Sequence, residues 1–308
     1  MIIKSEDSIK KKAQELGFLS CGIATANELP EFRAQLNKYL AEKRNADLAY
    51  MANNQEKRTD PRKLVDNCKS IISVTLNYYN PSIQHDSKAP IVSKYAYGKD
   101  YHTVVKDKLY QLLQFINNDI APCQGRAFVD SAPVADKLWA QRAGLGWIGK
   151  NTLLITPVHG SFVFIGELLV DLELEADKPF ENSYCGSCTL CIDACPTKAL
   201  ISAGKLNARR CISYQTTANK NDGIDSELQG KFRNRVFGCD ICQDICPWNN
   251  KASMHNTPEF IPSTKLLELD VETWKSIDEE QFREIFRHST IKLIKHKGLQ
   301  RNIRFLDL

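Results

Sequence analysis

Apolar residues recur at helical spacing in residues 5–17, at Ile9, Ala13 and Leu16, and Gly17 offers a stop, so the pattern predicts an early amphipathic helix. Residues 70–76 are rich in β-branched side chains, as a strand is. A second amphipathic helix is predicted over 100–118, turning Val105, Leu109, Leu112, Leu113 and Ile116 inward. A short strand over 126–130 follows, then a helix over 134–143 closed by Gly144. Two apolar segments of strand length, 152–156 and 161–170, complete the series. Helices thus alternate with strands to about residue 172, and the polar stretch 173–182, with Pro179, marks a boundary. The expected fold class is α+β, with a mixed α/β domain over residues 1–176.

The chain has 308 residues, 43% hydrophobic and 25% charged, which is ordinary soluble usage. Its beginning is charged by Lys4 and lacks the apolar run of a signal peptide. The longest apolar stretch, 162–170, contains Glu167 and falls short of the roughly 18 residues that a spanning helix needs. A cytoplasmic protein without membrane contact is expected, and in that reducing compartment eleven cysteines require a reason. Cys21, Cys68 and Cys123 are scattered, whereas the other eight cluster within a module spanning 177–255.

The first run, Cys185-x2-Cys188-x2-Cys191-x3-Cys195-Pro196, has the bacterial ferredoxin spacing for iron-sulfur ligation. The second, Cys239-x2-Cys242-x3-Cys246-Pro247, has the same ending without the first cysteine, and Cys211 is the nearby thiolate that can complete it. Eight thiolates suit two 4Fe-4S clusters. In two-cluster ferredoxins the cysteine before proline crosses to the other cluster, which groups Cys185, Cys188, Cys191 and Cys246 apart from Cys195, Cys211, Cys239 and Cys242. Paired CxxC motifs also make structural zinc sites, but those do not call for this rhythm with its terminal proline. The C-x3-C-x2-C spacing of radical S-adenosylmethionine enzymes does not occur in the module.

Residues 256–308 form a third segment, and between Phe282 and Arg304 it holds seven Lys/Arg against one Glu. A solvated helix face would explain this. Against a net charge of only +4 for the chain, the concentration also suits a phosphate-binding surface.

Six further motifs surround the cysteines: Glu56-Lys57-Arg58-Thr59-Asp60-Pro61, Tyr97-Gly98-Lys99-Asp100-Tyr101-His102, Phe128-Val129-Asp130-Ser131-Ala132-Pro133, the run from Arg142 through Gly149-Lys150-Asn151, Arg210-Cys211-Ile212-Ser213-Tyr214, and Asn234-Arg235-Val236-Phe237-Gly238-Cys239-Asp240. In this order they resemble the epoxyqueuosine reductase family, cobalamin-dependent oxidoreductases of the last step of queuosine biosynthesis in tRNA. The likeness covers about residues 1–250 and suggests a short form, without the C-terminal helical repeats of longer members. It implies a cobalamin between the first domain and a ferredoxin-like module, with electrons passing through two 4Fe-4S clusters to cobalt.

Opening an epoxide to an alkene also requires an acid beside the oxygen. The resemblance gives that role to Asp130, although by residue type alone an aspartate before Ser131-Ala132-Pro133 could simply cap a turn. A useful acid there needs burial to raise its pKa. The resemblance further implies that Arg58, Ser93, Asp130, Leu154, Ile165, Ser213 and Asp240 line the corrin site, with Lys150 and Asn151 as further candidates. His102 follows Asp100 as in the D-x-H-x-x-G cobalamin box, but Val105 stands at the glycine position, and an ordinary polar role on the helix is expected.

The implied partners are tRNA carrying epoxyqueuosine in its anticodon loop, where an unpaired base is readily splayed out, and an external electron donor. The enzyme is expected to act as a monomer. A corrinoid reductive dehalogenase is the rival enzyme, and a ferredoxin-type electron carrier the rival without catalysis. A carrier would hold iron and sulfide but no cobalt.

Overall fold

The computed structural model describes residues 4–308. Its centre is an antiparallel sheet of β1 (Ser20–Thr25), β2 (Ser70–Asn77), β3 (Gly125–Phe128) and β4 (Val163–Val170), in the order β1-β2-β4-β3. β2 and β4 pair along their whole length, from Ser70 opposite Val170 to Asn77 opposite Val163. Both strands are buried on both faces, which is why their sequences are nearly continuous apolar runs rather than alternating ones.

Helices cover the two faces. α1 (Ser5–Glu15) carries Glu6 and Asp7 in its first turn and Lys12 in its last, matching the helix dipole, and buries Ile9 and Ala13. α2 (Pro30–Ala41) begins with proline, where the missing N–H costs no hydrogen bond. α3 (Tyr101–Phe115) starts one residue later than its polar–apolar pattern suggests, because Asp100 is the N-cap and accepts from the His102 N–H. α4 (Asp136–Arg142) ends at Ala143, and Gly144 at φ 76° makes the left-handed exit. α1 and α3 share one core with Ile72, Val74, Phe164 and Leu168, whereas α4 packs Trp139 and Ala140 on the opposite face against Ile71 and Leu169. A Cβ on Gly166 would meet Val105 and Leu109, so this glycine lets α3 lie close on β4.

The strand expected over 126–130 stops at Phe128. Asp130 lies beyond it at φ 51°, in a loop leading to α4. The cysteine module consists of short turns, with single helical turns at Leu190–Asp193 and Ile241–Asp244 and a hairpin of Leu200–Ser202 with Lys205–Leu206. It is joined to the first part of the chain by a parallel pairing of Ile91–Val92 with Arg235–Phe237.

Residues 256–308, expected as a basic C-terminal segment, pack against the join of the two preceding parts. Trp274, Phe282, Phe286, Leu299 and Ile303 share one core with Val92, Tyr97, Val236 and Phe237, because both halves of that two-stranded join need an apolar cover. Several of the positive charges are also consumed internally: Arg283 pairs with Glu279, Lys292 with Asp100 and Lys297 with Asp222. Arg301, on the last helix α5 (Lys295–Leu306), is buried and donates to the carbonyls of Gln215, Asn219 and Asn221, while Asn302 donates to those of Thr216 and Val236. The tail thus clamps the turn Tyr214–Ala218. Among the described residues no helix is long and apolar enough to cross a membrane. Arg301→Ala leaves three carbonyls without their donor and should cost about 3 kcal/mol, at 1–3 kcal/mol for each strongly affected group; urea unfolding measures the loss.

Candidate functional site

A cavity of about 550 Å3 opens where the sheet meets the cysteine module. Tyr78 after β2, Val163 and Phe164 at the start of β4, Tyr101 at the start of α3 and Asp130 after β3 form its wall on the sheet side. Ser213, Tyr214, Asp240, Cys242 and Gln243 form the wall on the module side. The lining is largely apolar and aromatic, with a few converging polar groups, as in sites for large organic ligands.

Asp130 is fixed from the sheet side. The Tyr101 hydroxyl donates to its Oδ2 at 2.7 Å, and the Tyr101 ring stacks on Phe164 with centroids 4.1 Å apart and planes 3° from parallel. Burial, then the Asp130 charge, push the Tyr101 phenol far above its ordinary range, so it stays a donor. Lys137, on the first turn of α4, also lines the cavity and donates to the Thr152 carbonyl at 2.7 Å. His102 is held by Asp100 at 2.7 Å and stays outside the cavity wall.

Asp240 carries the contact between the halves. Its oxygens accept from the Ser93 hydroxyl and from the Lys94 N–H at 2.8 Å, with Lys94 Nζ at 3.8 Å. Burial raises its pKa, and Lys94 and Ser93 work against that rise. Gly238, at φ 70°, lies so close to Ser93 and Tyr95 that a Cβ would clash with both side chains.

The cysteines fall into two groups in space. Cys185, Cys188, Cys191 and Cys246 line a cavity of about 200 Å3, cased by Tyr184, Trp248 and, behind Cys246, Trp147. Cys195, Cys211, Cys239 and Cys242 border the larger cavity. Burial raises the Cys191 thiol, and Cys246, Cys185 and Cys188 beside it add to the rise; burial pushes Cys239 to about 12, with Cys211 adding. Neighbouring thiols of this kind ionise together only when a metal centre compensates them. Among the described residues no three His, Cys, Asp or Glu side chains are grouped so as to hold a single metal ion.

Of the residues singled out in the sequence, Ser93, Asp130, Asn151, Ser213 and Asp240 border the larger cavity. Lys150 does not: its Nζ donates to the Gly186 and Cys188 carbonyls at 2.7 and 2.8 Å, against the first cysteine group. Arg58 borders a neighbouring cavity of about 750 Å3, which shares Tyr50, Met51, Asp130 and Lys137 with the first. Leu154 is buried and Ile165 packs in the core beneath α4, and neither borders the 550 Å3 cavity. Lys137 and Tyr214 carry no signal of their own in the sequence. Both are brought in by the packing of helix and turn.

Fold and site together define a redox protein with two four-cysteine groups beside an acid-bearing cavity. Residues 184–249 match a 4Fe-4S double cluster binding domain, and residues 58–131 match the domain described as epoxyqueuosine reductase QueG. An epoxyqueuosine reductase of Cellulophaga algicola is 51% identical over 303 residues, 98% of each chain. A crystal structure of epoxyqueuosine reductase with an epoxyqueuosine-modified tRNA-Tyr stem loop superposes with a TM-score of 0.87 at 31% identity, over 97% of this chain and 80% of that one. The Bacillus subtilis enzyme, solved with a catalytic aspartate loop swung out of the active site, gives a TM-score of 0.88 at 30% identity with the same coverage. The chain belongs to the epoxyqueuosine reductase family. Gly238→Ala should separate Ser93 from Asp240 and cost about 1–3 kcal/mol as an overpacked contact, read as a lower denaturation midpoint; an unchanged midpoint would show that Ser93 and Tyr95 can give way.

Proposed function

We propose that this chain reduces epoxyqueuosine to queuosine in tRNA, with Asp130 as the acid and the cavity between sheet and cysteine module as the cobalamin site. The observation that carries the proposal is the convergence of Asp130 and a complete four-cysteine group on one cavity. A long, largely apolar chamber with Ser93, Asn151, Ser213 and Asp240 at its edges suits a macrocycle with an apolar face and an amide-bearing rim. No histidine is among the residues that border it, which fits a corrin held without a histidine ligand from the protein. When bound, cobalamin supplies low-valent metal chemistry toward carbon and the two clusters supply single electrons.

The chain's own residues perform the remaining tasks. Cys195, Cys211, Cys239 and Cys242 would hold the cluster next to the cavity, and Cys185, Cys188, Cys191 and Cys246 the more distant one. Tyr101 orients the Asp130 carboxyl through the hydrogen bond to Oδ2, leaving the other oxygen to serve the substrate. Closing an alkene from an epoxide breaks two C–O bonds and takes up two electrons and two protons, with the oxygen leaving as water. Asp130, which lines the cavity, delivers a proton to that oxygen. Of the basic residues around the cysteines, Arg209 and Arg233 are exposed and would meet RNA phosphates, with Lys231 and Arg210 beside them, whereas Arg235 is largely covered and faces Asp244.

Domain limits follow the same division of labour: residues 1–176 hold the acid and about half of the cavity wall, and 177–255 hold the cysteines and the other half. Residues 256–308 brace both.

The deciding experiment is anaerobic turnover of tRNA containing epoxyqueuosine, with clusters reconstituted and a chemical reductant, read by nucleoside mass. Loss of one oxygen is expected only when cobalamin is added; bound iron with no cobalamin uptake would favour an electron carrier instead. Asp130→Asn should keep iron content and cobalamin binding while turnover falls by about 100-fold or more. Cys185→Ser and Cys246→Ser should each remove the same half of the iron and spare the other half, measured by iron analysis and electron paramagnetic resonance.

A further inference from the structure

Glu167 is the charged residue that interrupts the apolar run of β4, and it is fully buried. It stands opposite Ser73 of β2 and Phe128 of β3, on the face covered by α4. There its carboxyl comes within hydrogen-bonding reach of Asp136, the first residue of α4. Both oxygens of Glu167 and Oδ1 of Asp136 are buried and meet no other partner. Two carboxylates cannot satisfy each other, whereas a carboxylic acid and a carboxylate can, so the contact demands a shared proton.

The surroundings keep that proton in place without neutralising the pair by other means. Arg58, from the segment Gln55–Thr59, faces Asp136 but directs its two terminal nitrogens to the carbonyls of Val134 and Tyr50. Lys137 donates to Thr152, and Asp130 and Tyr50 are the other ionisable groups that face the pair. Burial raises both carboxyls, Asp136 to about 6 and Glu167 well above its ordinary value; the Asp130 charge adds to each rise, while the hydrogen bond from Glu167 moderates that of Asp136. At neutral pH Asp136 is therefore mostly ionised and the shared proton sits on Glu167, which loses it only as pH climbs through its own raised value.

Asp130 and Asp136 border the same cavity of about 750 Å3, which shares Tyr50, Met51, Asp130 and Lys137 with the 550 Å3 site. The proposed reaction consumes two protons per epoxide, and Asp130 can carry only one of them. We propose that Asp136 and Glu167 store the second proton behind Asp130 and reprotonate it, through Asp136, after its first transfer to the substrate oxygen. In that step the Asp136–Glu167 pair loses one proton, Asp130 regains one, and water in the shared cavity refills the pair. Asp136 and Glu167 act through Asp130 and touch neither substrate nor cofactor.

The inference rests on the reductase function, and its test has an arm independent of that function. Infrared spectra of the cofactor-free protein should show a protonated-carboxyl band at neutral pH that shifts in D2O and vanishes in Glu167→Gln. In the reconstituted enzyme, the single-turnover rate should fall as pH rises through the titration of the pair; Glu167→Gln should lower the rate by about 10- to 100-fold and abolish that pH dependence. Asp136→Asn should do the same and serves where Glu167→Gln fails to fold. A wild-type protein without the band, or a folded variant with the wild-type rate and pH profile, overturns the relay. Absence of turnover in the wild type counts against the reductase function instead and leaves the infrared result to be judged separately.

Discussion

The buried carboxylate of Asp240 is the contact on which the site depends. Its two oxygens take the Ser93 hydroxyl and the Lys94 N–H, and so fix the cysteine segment to the chain that follows β2. A buried charge of this kind is costly unless it is hydrogen-bonded and faced by a cation, and Lys94 supplies the cation. Two constraints flank it. Gly238 permits the close approach, and Gln243, two residues before the final half-turn to Cys246, donates to the Ser161 carbonyl and the Tyr78 hydroxyl. The cavity is the space left when these polar contacts bring an α/β sheet and a cysteine-rich module face to face.

The remaining polar groups arrange themselves around that junction. Tyr101 stands on the sheet side, locked by Phe164, and holds Asp130 from behind. On the module side, Tyr214 borders the cavity and is tied through its hydroxyl to Asp47 at 3.0 Å, while the turn it begins is clamped by Arg301. The C-terminal helix therefore contributes to the site without entering it. Its buried arginine and asparagine perform the work that a longer hydrophobic core would do elsewhere, satisfying carbonyls that the irregular turn leaves open.

The sequence made the secondary structure of the first part legible because apolar periodicity follows directly from one face of each helix packing on the sheet. It also made the cysteine groups legible, since their spacing reflects local chain geometry around a metal centre. Asp130 was visible only within a motif; nothing in an isolated Val-Asp-Ser distinguishes an acid from a turn cap. The placement of Lys150, Leu154 and Ile165 was not legible, because how far the cavity extends along a strand or turn is set by the module packed against it and not by local spacing. The packing role of the basic tail was not legible for a different reason. Composition counts charges but not their partners, and Arg301, Lys292 and Lys297 are engaged within the chain. Glu167 showed in the sequence as a break in an apolar run, while its partner Asp136 lies on another element and only folding joins them.

The two cysteine groups are interlocked along the chain: the first takes its last member, Cys246, from beyond Cys239 and Cys242, which belong to the second. During synthesis on a ribosome the second set is complete only once residue 242 has emerged and the first only once residue 246 has, although the sheet that carries the acid is complete from residue 170 onward. Cofactor loading is thereby postponed to an almost finished polypeptide.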